Sequence, residues 1–164
     1  MLTDKIVGFI GVGNMATALI KGMVEADVIA PGSIVASDVR PKQLEKVASK
    51  YGIVTTPENR EVAARADIVV LAIKPQIMDR VLEELADNLS KDKLVVSIAA
   101  GVPAETIEKK LHKETRVIRV MPNTPAIVGA GATALAAGLH ATEQDLEMAK
   151  LIFEAVGMTF VLDE

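Results

Sequence analysis

Short apolar runs alternate with longer amphipathic segments along this chain, and the alternation limits the fold more than any other feature of the sequence. Seven runs rich in Val, Ile and Leu are predicted strands; they span residues 5–10, 33–37, 53–54, 67–73, 94–98, 116–121 and 158–162. Helices are predicted over residues 14–25, 41–51, 59–65, 76–88 and 103–111 and, after a capping box of Thr142 and Asp145, up to Gly157. This alternation predicts an α/β fold with a doubly wound, mostly parallel sheet and helices on both faces.

Composition excludes several classes of protein. A net charge of -4 and an aromatic content of only 2% disfavour a nucleic-acid-binding surface. Cysteine is absent, which excludes disulfides and cysteine-ligated zinc. His112 and His140 have no partner at ligand spacing, so we expect both at the surface. The Gly- and Ala-rich stretch 128–139 is too short to span a bilayer, and no signal peptide precedes the first strand. We therefore expect a cytoplasmic protein without a metal site, a nucleic-acid partner or a membrane segment.

A glycine-rich turn joins the first predicted strand to the first predicted helix. Gly11-x-Gly13-x-x-Ala16 is one form of the dinucleotide-binding fingerprint. Gly11 permits a tight turn, Gly13 lets the backbone approach a pyrophosphate, and Ala16 lets the helix pack close to the sheet. The helix N-terminus then offers N–H groups and a positive dipole end to the phosphates. Because the motif lies between a predicted strand and a predicted helix, it predicts a Rossmann-type domain that binds NAD or NADP.

The end of the second predicted strand leaves the choice of cofactor open. Asp38 lies where an acidic residue commonly binds the ribose hydroxyls of NAD, whereas Arg40 could bind the 2′-phosphate of NADP. Asp38 could also simply end the strand or cap the helix that begins at Pro41. These residues alone do not decide between the two cofactors.

Three loops follow strands whose carboxyl ends should meet at one edge of the sheet, where ligands bind in this architecture. They span residues 72–76, 97–101 and 121–125. Small residues in the second loop would let a flat cofactor lie against the backbone. Lys74 in the first loop could add positive charge, and Asn123 and Thr124 in the third could form hydrogen bonds. Any one of these loops could serve only to start a helix or to pack, but three together favour a ligand site.

Four segments taken together resemble the pyrroline-5-carboxylate reductase family. They are residues 9–16, 71–76, 97–101 and 119–125, with the sequences FIGVGNMA, LAIKPQ, SIAAG and RVMPNTP. The resemblance runs from residue 5 to residue 164. It implies an NAD(P)H-dependent oxidoreductase of proline biosynthesis, which transfers a hydride to the C=N carbon of 1-pyrroline-5-carboxylate. It favours NADPH as the cofactor, with NADH possible.

The resemblance also implies roles for particular residues. Asn59 corresponds to a family asparagine on the adenosine side of the cofactor, and Asn123 and Thr124 are assigned to the nicotinamide and substrate side. With the assignments made above, the predicted cofactor-binding residues are Ile10, Gly11, Gly13, Asn14, Met15, Ser37, Asp38, Asn59, Ala72, Ile73, Lys74, Pro75, Ala99 and Ala100. No side chain is assigned as an acid–base catalyst, because a protonated imine is already electrophilic and the cofactor carries the chemistry.

In the resembling family the chain continues into an all-helical domain that dimerises and holds the substrate. Residues 1–164 contain no counterpart of that domain, so we expect them to be the NAD(P)-binding domain alone. They should bind cofactor, lack turnover on their own and expose apolar surface near the last helix and strand. The full-length parent is expected to be a homo-oligomer.

Two alternative functions share the glycine-rich turn. A 3-hydroxyacid dehydrogenase needs a base for the hydroxyl proton, typically a lysine on a later helix, which this chain lacks. A non-catalytic NADP-binding module needs no substrate domain. Nucleotide binding without turnover by the full-length parent would distinguish the module from the reductase.

Overall fold

The computed structural model describes residues 2–164, which form eight strands and six α-helices. The strands are β1 (Val7–Ile10), β2 (Ile34–Ser37), β3 (Val54–Thr56), β4 (Ile68–Leu71), β5 (Leu94–Ser97), β6 (Arg116–Met121), β7 (Gly131–Ala137) and β8 (Gly157–Val161). The helices are α1 (Asn14–Glu25), α2 (Pro41–Tyr51), α3 (Asn59–Arg65), α4 (Met78–Leu85), α5 (Ala104–Glu108) and α6 (Glu143–Glu154). Short 3₁₀ turns precede β2, α4 and β7.

All eight strands form one sheet in the order β3-β2-β1-β4-β5-β6-β7-β8. Neighbouring strands from β3 to β6 are parallel. β7 is antiparallel to β6 and parallel to β8, so the last two strands run against the other six. The predicted doubly wound, mostly parallel Rossmann-type sheet is therefore confirmed.

Side chains alternate along each central strand between two hydrophobic cores, one on each face of the sheet. In β4, Ile68 and Val70 belong to the core that also contains residues of α1, α2 and α6. Val69 and Leu71 belong to the core that contains residues of α3, α4 and α5. All of β4 is buried, as expected of a strand covered on both faces. Helices thus cover both faces, and the carboxyl ends of the strands remain free to form a site.

The structure corrects the predicted elements in several places. β7 is absent from the prediction, because its sequence GATALAA is poor in the β-branched and aromatic residues that favour strands. It forms a strand because β6 and β8 pair with it on both sides. The predicted helix over 76–88 is shorter, since Pro75–Ile77 forms a 3₁₀ turn and α4 ends at Leu85. Ile77, which lies in that turn, is 37% exposed.

Boundaries elsewhere shift by a few residues. α5 covers Ala104–Glu108 instead of 103–111. β3 covers Val54–Thr56 instead of 53–54, and β8 begins at Gly157. None of these shifts changes the order or the direction of the elements.

The capping box at the start of α6 is confirmed. The Thr142 hydroxyl accepts a hydrogen bond from the Asp145 amide at 3.2 Å, and Asp145 Oδ2 accepts one from the Thr142 amide at 2.8 Å. Asp145 is fully buried, and its Oδ1 accepts a hydrogen bond from Arg116 Nη1 at 2.6 Å. The box therefore fixes the start of α6 and ties that end of the helix to β6.

One face of the last three strands is open and apolar. Met158, Phe160 and Leu162 are 65%, 50% and 57% exposed. Phe160 pairs with Ala134, which pairs with Met121 in β6, so the exposed strip crosses three strands. This surface, called here the open β6–β8 face, lies near the last strand, where apolar exposure is predicted.

The capping box yields a stability prediction. Thr142→Ala removes the acceptor for the Asp145 amide, and we expect it to lower the free energy of unfolding by about 1 kcal/mol. Urea denaturation followed by circular dichroism measures this difference. Thr142→Ser keeps the hydroxyl and should stay close to the wild type. An alanine variant as stable as the serine variant would show that the cap does not stabilise α6.

Candidate functional site

The site is built around the turn between β1 and α1. Gly11 has a φ of +93°, which glycine adopts at little cost. A Cβ at this position would lie 2.5 Å from the Ala72 carbonyl oxygen. The Gly11 amide donates to the Ser37 carbonyl at 2.8 Å, and the Ala72 amide donates to the Ile10 carbonyl at 2.9 Å. The carboxyl ends of β1, β2 and β4 are thereby held against one another.

Gly13 is glycine for a different reason. Its φ of −78° is open to other residues, and an added Cβ would meet no atom of residues 2–164 within 4 Å. Gly13 is the N-cap of α1, whose first turn carries no acidic residue and no side-chain hydrogen-bond cap. The positive end of the helix dipole therefore faces open space, an arrangement that favours bound anions.

Two adjoining clefts open beside this turn. The first has a volume of about 520 Å³ and is lined by the ends of β1, β2 and β4 with part of α4. The second has a volume of about 300 Å³ and is lined by the start of α1 with the loops after β4 and β5. Both are lined by Gly13, Asn14, Ala72, Ile73 and Lys74. They form one groove across the carboxyl ends of parallel strands, where ligands bind in doubly wound sheets.

Nearly all the predicted cofactor-binding residues line this groove. The first cleft contains Ile10, Gly11, Gly13, Asn14, Asp38, Asn59, Ala72, Ile73 and Lys74. The second cleft adds Met15, Pro75, Ala99 and Ala100. Ser37 lines neither cleft, because it is fully buried behind Asn59. The tertiary fold thus brings residues from five separate segments of the chain to one place.

Asn59 is held from two sides. The Ser37 hydroxyl donates to Asn59 Oδ1 at 2.7 Å, and Asn59 Nδ2 donates to Glu84 Oε2 at 3.3 Å. Ser37 lies at the end of β2, and Glu84 lies in α4. This chain of hydrogen bonds fixes the orientation of the Asn59 amide at the wall of the first cleft. Glu84 has no recognisable motif in the sequence, because only the packing of α4 brings it beside Asn59.

The carboxylate of Asp38 is turned toward the glycine-rich turn. Its side chain is only 6% exposed, and Oδ2 accepts a hydrogen bond from the Val12 amide at 2.8 Å. Burial alone would raise the pKa of Asp38. The hydrogen bonds from the Arg40 side chain and from the Val12 and Arg40 amides, with the charge of Arg40, lower the pKa below its ordinary value. Asp38 is therefore ionised at neutral pH, and Arg40 compensates its charge.

Four residues that were not predicted also line the first cleft. Val39 follows Asp38, and Ile77, Arg80 and Val81 lie at or near the start of α4. Ile77 lies three residues after Lys74, and Arg80 and Val81 lie three and four residues after Ile77. This helical spacing is the sequence signal that could have identified the last three as lining residues. Among the described residues, the charged side chains of this cleft are the cations Arg40, Lys74 and Arg80 and the carboxylate of Asp38, which Arg40 compensates. On a chain of net charge -4, this local excess of positive charge favours an anionic ligand.

Asn123 and Thr124, predicted on the substrate side, lie outside the lining of both clefts. Both are exposed, in the segment that follows β6. Asn123 Oδ1 accepts a hydrogen bond from the Ala132 amide at 2.9 Å. In this structure Asn123 therefore stabilises the connection from β6 to β7.

Other kinds of site have no support in the part of the chain that is described. Among residues 2–164, no three His, Cys, Asp or Glu side chains are grouped so that they could hold a metal ion. No helix in the same range has both the length and the apolar character needed to cross a bilayer. His112 and His140 are exposed, as predicted, and line one surface depression formed by residues outside the groove.

The two glycines of the turn should respond differently to substitution. Gly11→Ala places a Cβ against the Ala72 carbonyl oxygen in a left-handed conformation, and we expect it to lower the free energy of unfolding by about 2 kcal/mol or more. Gly13→Ala meets no neighbour and should cost less than about 1 kcal/mol. Chemical denaturation of both variants measures the difference. Equal losses would contradict the distinction between a packing glycine and a glycine beside open space.

The strand order, the glycine-rich turn and the groove define a Rossmann-type nucleotide-binding fold. A family model described as "NADP oxidoreductase coenzyme F420-dependent" matches residues 6–101, more than half of the chain, and the chain belongs to this family.

Individual relatives are more specific. The chain is 43% identical to a pyrroline-5-carboxylate reductase of Methanosarcina acetivorans over 163 residues, which are 99% of this chain and 60% of the relative. The structure of a Coxiella burnetii pyrroline-5-carboxylate reductase superposes with a TM-score of 0.93 at 40% identity, over 98% of this chain and 59% of that one. A Plasmodium falciparum pyrroline carboxylate reductase with NADP bound superposes with a TM-score of 0.87 at 28% identity, over 98% of this chain and 58% of that one.

These matches confirm the resemblance predicted from the four sequence segments. They extend over nearly the whole of this chain but over only part of each relative. The chain spans about 60% of the length of the relatives that it matches.

Proposed function

We propose that residues 1–164 bind NADPH and form the cofactor domain of a pyrroline-5-carboxylate reductase. The observation that carries the proposal is Gly13, which has no packing reason to be glycine and leaves open space at the N-terminus of α1. That space opens onto a groove lined by Lys74, Arg40 and Arg80. A pyrophosphate is the ligand that such a helix end and such cations suit best. The names of the relatives support the substrate, and the NADP bound to the Plasmodium relative supports the cofactor.

The two clefts suit the two halves of a dinucleotide. Lys74 lines both clefts, which supports its assignment to the pyrophosphate that joins the two nucleotides. The first cleft, with Asn59 held by Ser37, is assigned to the adenosine half. The second cleft is assigned to the nicotinamide half. Its loop after β5 carries Ala99 and Ala100, whose small side chains let a flat ring lie close to the backbone.

The chemistry follows from this division of roles. The bound cofactor supplies the hydride, which goes to the C=N carbon of 1-pyrroline-5-carboxylate and yields proline. Among residues 2–164, Lys74 is the one ionisable side chain that lines the second cleft. The described residues therefore contribute position and orientation to the reaction rather than an acid–base pair. Asn123 and Thr124, at the end of the strand next to β5, stay a prediction for the substrate side.

The substrate site is proposed to be completed outside residues 1–164. The chain spans about 60% of its relatives, which leaves room for a second domain. The open β6–β8 face supports this arrangement, because contiguous apolar surface on a soluble domain commonly marks an interface. We propose that the full-length parent is a cytoplasmic homo-oligomer in which this face is covered.

The first test of this function is cofactor binding. Gly13→Val fills the space beside the first turn of α1, and we expect it to weaken NADPH binding by tenfold or more, about 1.4 kcal/mol. Isothermal titration calorimetry on the folded variant measures the change. Gly32→Val is the control, because Gly32 also has no neighbour within 4 Å of an added Cβ but lies outside the groove. Equal NADPH affinity in wild type and Gly13→Val would place the cofactor elsewhere.

The second test is turnover. NADPH oxidation with 1-pyrroline-5-carboxylate should be absent for residues 1–164 and present for the full-length parent, because we propose that the substrate site is completed outside residues 1–164. Adding the remaining part of the parent as a separate chain should restore activity. Robust turnover by residues 1–164 alone would place the substrate site within this domain. A full-length parent that binds NADPH but never turns over would instead support the non-catalytic module.

A further inference from the structure

The carboxylate of Asp38 has no acceptor position left for a ribose hydroxyl. Oδ1 accepts hydrogen bonds from the Arg40 amide at 2.9 Å and from Arg40 Nε at 2.8 Å. Oδ2 accepts hydrogen bonds from the Val12 amide at 2.8 Å and from Arg40 Nη2 at 3.0 Å. A carboxylate offers about four lone-pair positions, and the protein occupies all of them. An acidic residue that binds the ribose of NAD needs some of those positions free.

Arg40, by contrast, keeps donors free. Its Nε and Nη2 bind Asp38, and Nη2 also donates to the Val12 carbonyl at 3.4 Å. Nη1 takes part in none of the hydrogen bonds found among residues 2–164, and the Arg40 side chain is 59% exposed at the first cleft. Because Asp38 holds one edge of the guanidinium, the free edge is oriented in advance. A guanidinium so oriented suits a phosphate group.

We propose that Arg40 is the residue that selects a 2′-phosphorylated dinucleotide, and that Asp38 is a positioning residue which ties Arg40 to the glycine-rich turn through the Val12 amide. The proposal rests on the proposed function, since it concerns the adenosine half of the same groove. An acidic residue at the end of β2 commonly binds the ribose hydroxyls of NAD, whereas here Asp38 orients an arginine toward a phosphate. The negative charge of Asp38 does not repel the 2′-phosphate, because Arg40 lies against it.

Two other cations line the first cleft and are the alternatives. Lys74 also lines the second cleft, which places it toward the pyrophosphate. Arg80 lies in α4, which follows β4 and not β2 along the chain. The adenosine ribose lies at the end of β2 in this architecture, and Arg40 is the cation that follows β2 directly.

The first experiment compares phosphorylated and unphosphorylated ligands. Isothermal titration of residues 1–164 with NADPH, NADH and adenosine 2′,5′-bisphosphate is carried out on wild type, Arg40→Gln, Arg80→Gln and Lys42→Gln. We expect Arg40→Gln to weaken NADPH and the bisphosphate by about tenfold or more and NADH by less than about twofold. Lys42→Gln removes an equal charge two residues away, outside the groove, and should leave the ratio of NADPH to NADH affinity unchanged.

The same experiment can overturn the proposal. If Arg40→Gln leaves the ratio of affinities unchanged, or if Arg80→Gln is the variant that removes the preference for NADPH, Arg40 is not the selecting residue. Arg40→Lys keeps the charge and provides a second folded variant, which should lose less of the preference than Arg40→Gln. A wild-type chain that binds none of the three ligands would refute the proposed function itself, a result distinct from failure of this inference.

The second experiment tests the positioning role of Asp38. In Asp38→Asn we expect both NADPH and NADH to bind more weakly, because the glycine-rich turn and Arg40 lose the same anchor, and the preference for NADPH should not rise. The ¹H shift of the Val12 amide in the ligand-free domain should move upfield, since its charged acceptor is lost. A higher preference for NADPH with an unmoved Val12 amide would show instead that Asp38 faces the ribose.

Discussion

The close contact between Gly11 and the carbonyl of Ala72 is the constraint on which the rest of the site depends. A side chain at residue 11 cannot coexist with that carbonyl at 2.5 Å, and the left-handed φ excludes most other residues. The contact lets the ends of β1 and β4 approach, while the Gly11 amide binds the end of β2. Once these three strand ends meet, α1 must begin beside them, and both clefts open around its first turn.

The distribution of charge around the groove follows from the same geometry. The chain as a whole is acidic, yet Arg40, Lys74 and Arg80 line the first cleft. Asp38, an acidic residue of the lining, contacts the Val12 amide, and Arg40 neutralises its charge. A groove built in this way attracts phosphates, although the net charge of the protein would repel them.

The two edges of the sheet differ in how they are covered. At one edge, β3 pairs in parallel with β2, and helices cover both faces of the sheet as they do at its centre. At the other edge, β7 and β8 run against the remaining strands and leave Met158 and Phe160 exposed on one face. The groove lies at the parallel part of the sheet, whereas the open β6–β8 face lies at the opposite edge. This difference is consistent with a chain that spans about 60% of its relatives.

The central strands, the glycine-rich turn and the capping box can be predicted from the sequence alone. Alternating apolar runs define the central strands, because strands covered on both faces must be apolar throughout. Gly11, Gly13 and Ala16 identify the turn, because only small residues fit where helix, strand and phosphate meet. The local capping box at Thr142 is likewise visible, since its hydrogen bonds join residues only three apart.

Tertiary structure decided what depends on contacts between distant residues. β7 exists because two strands pair with it, not because GATALAA favours a strand. Ser37 supports Asn59 from behind the cleft, and Glu84 joins it from α4, a relation that no local pattern records. The sequence left Asp38 with three possible roles. The approach of the Val12 amide and the guanidinium of Arg40 filled its acceptor positions, and side-chain direction of this kind is set by packing rather than by residue type.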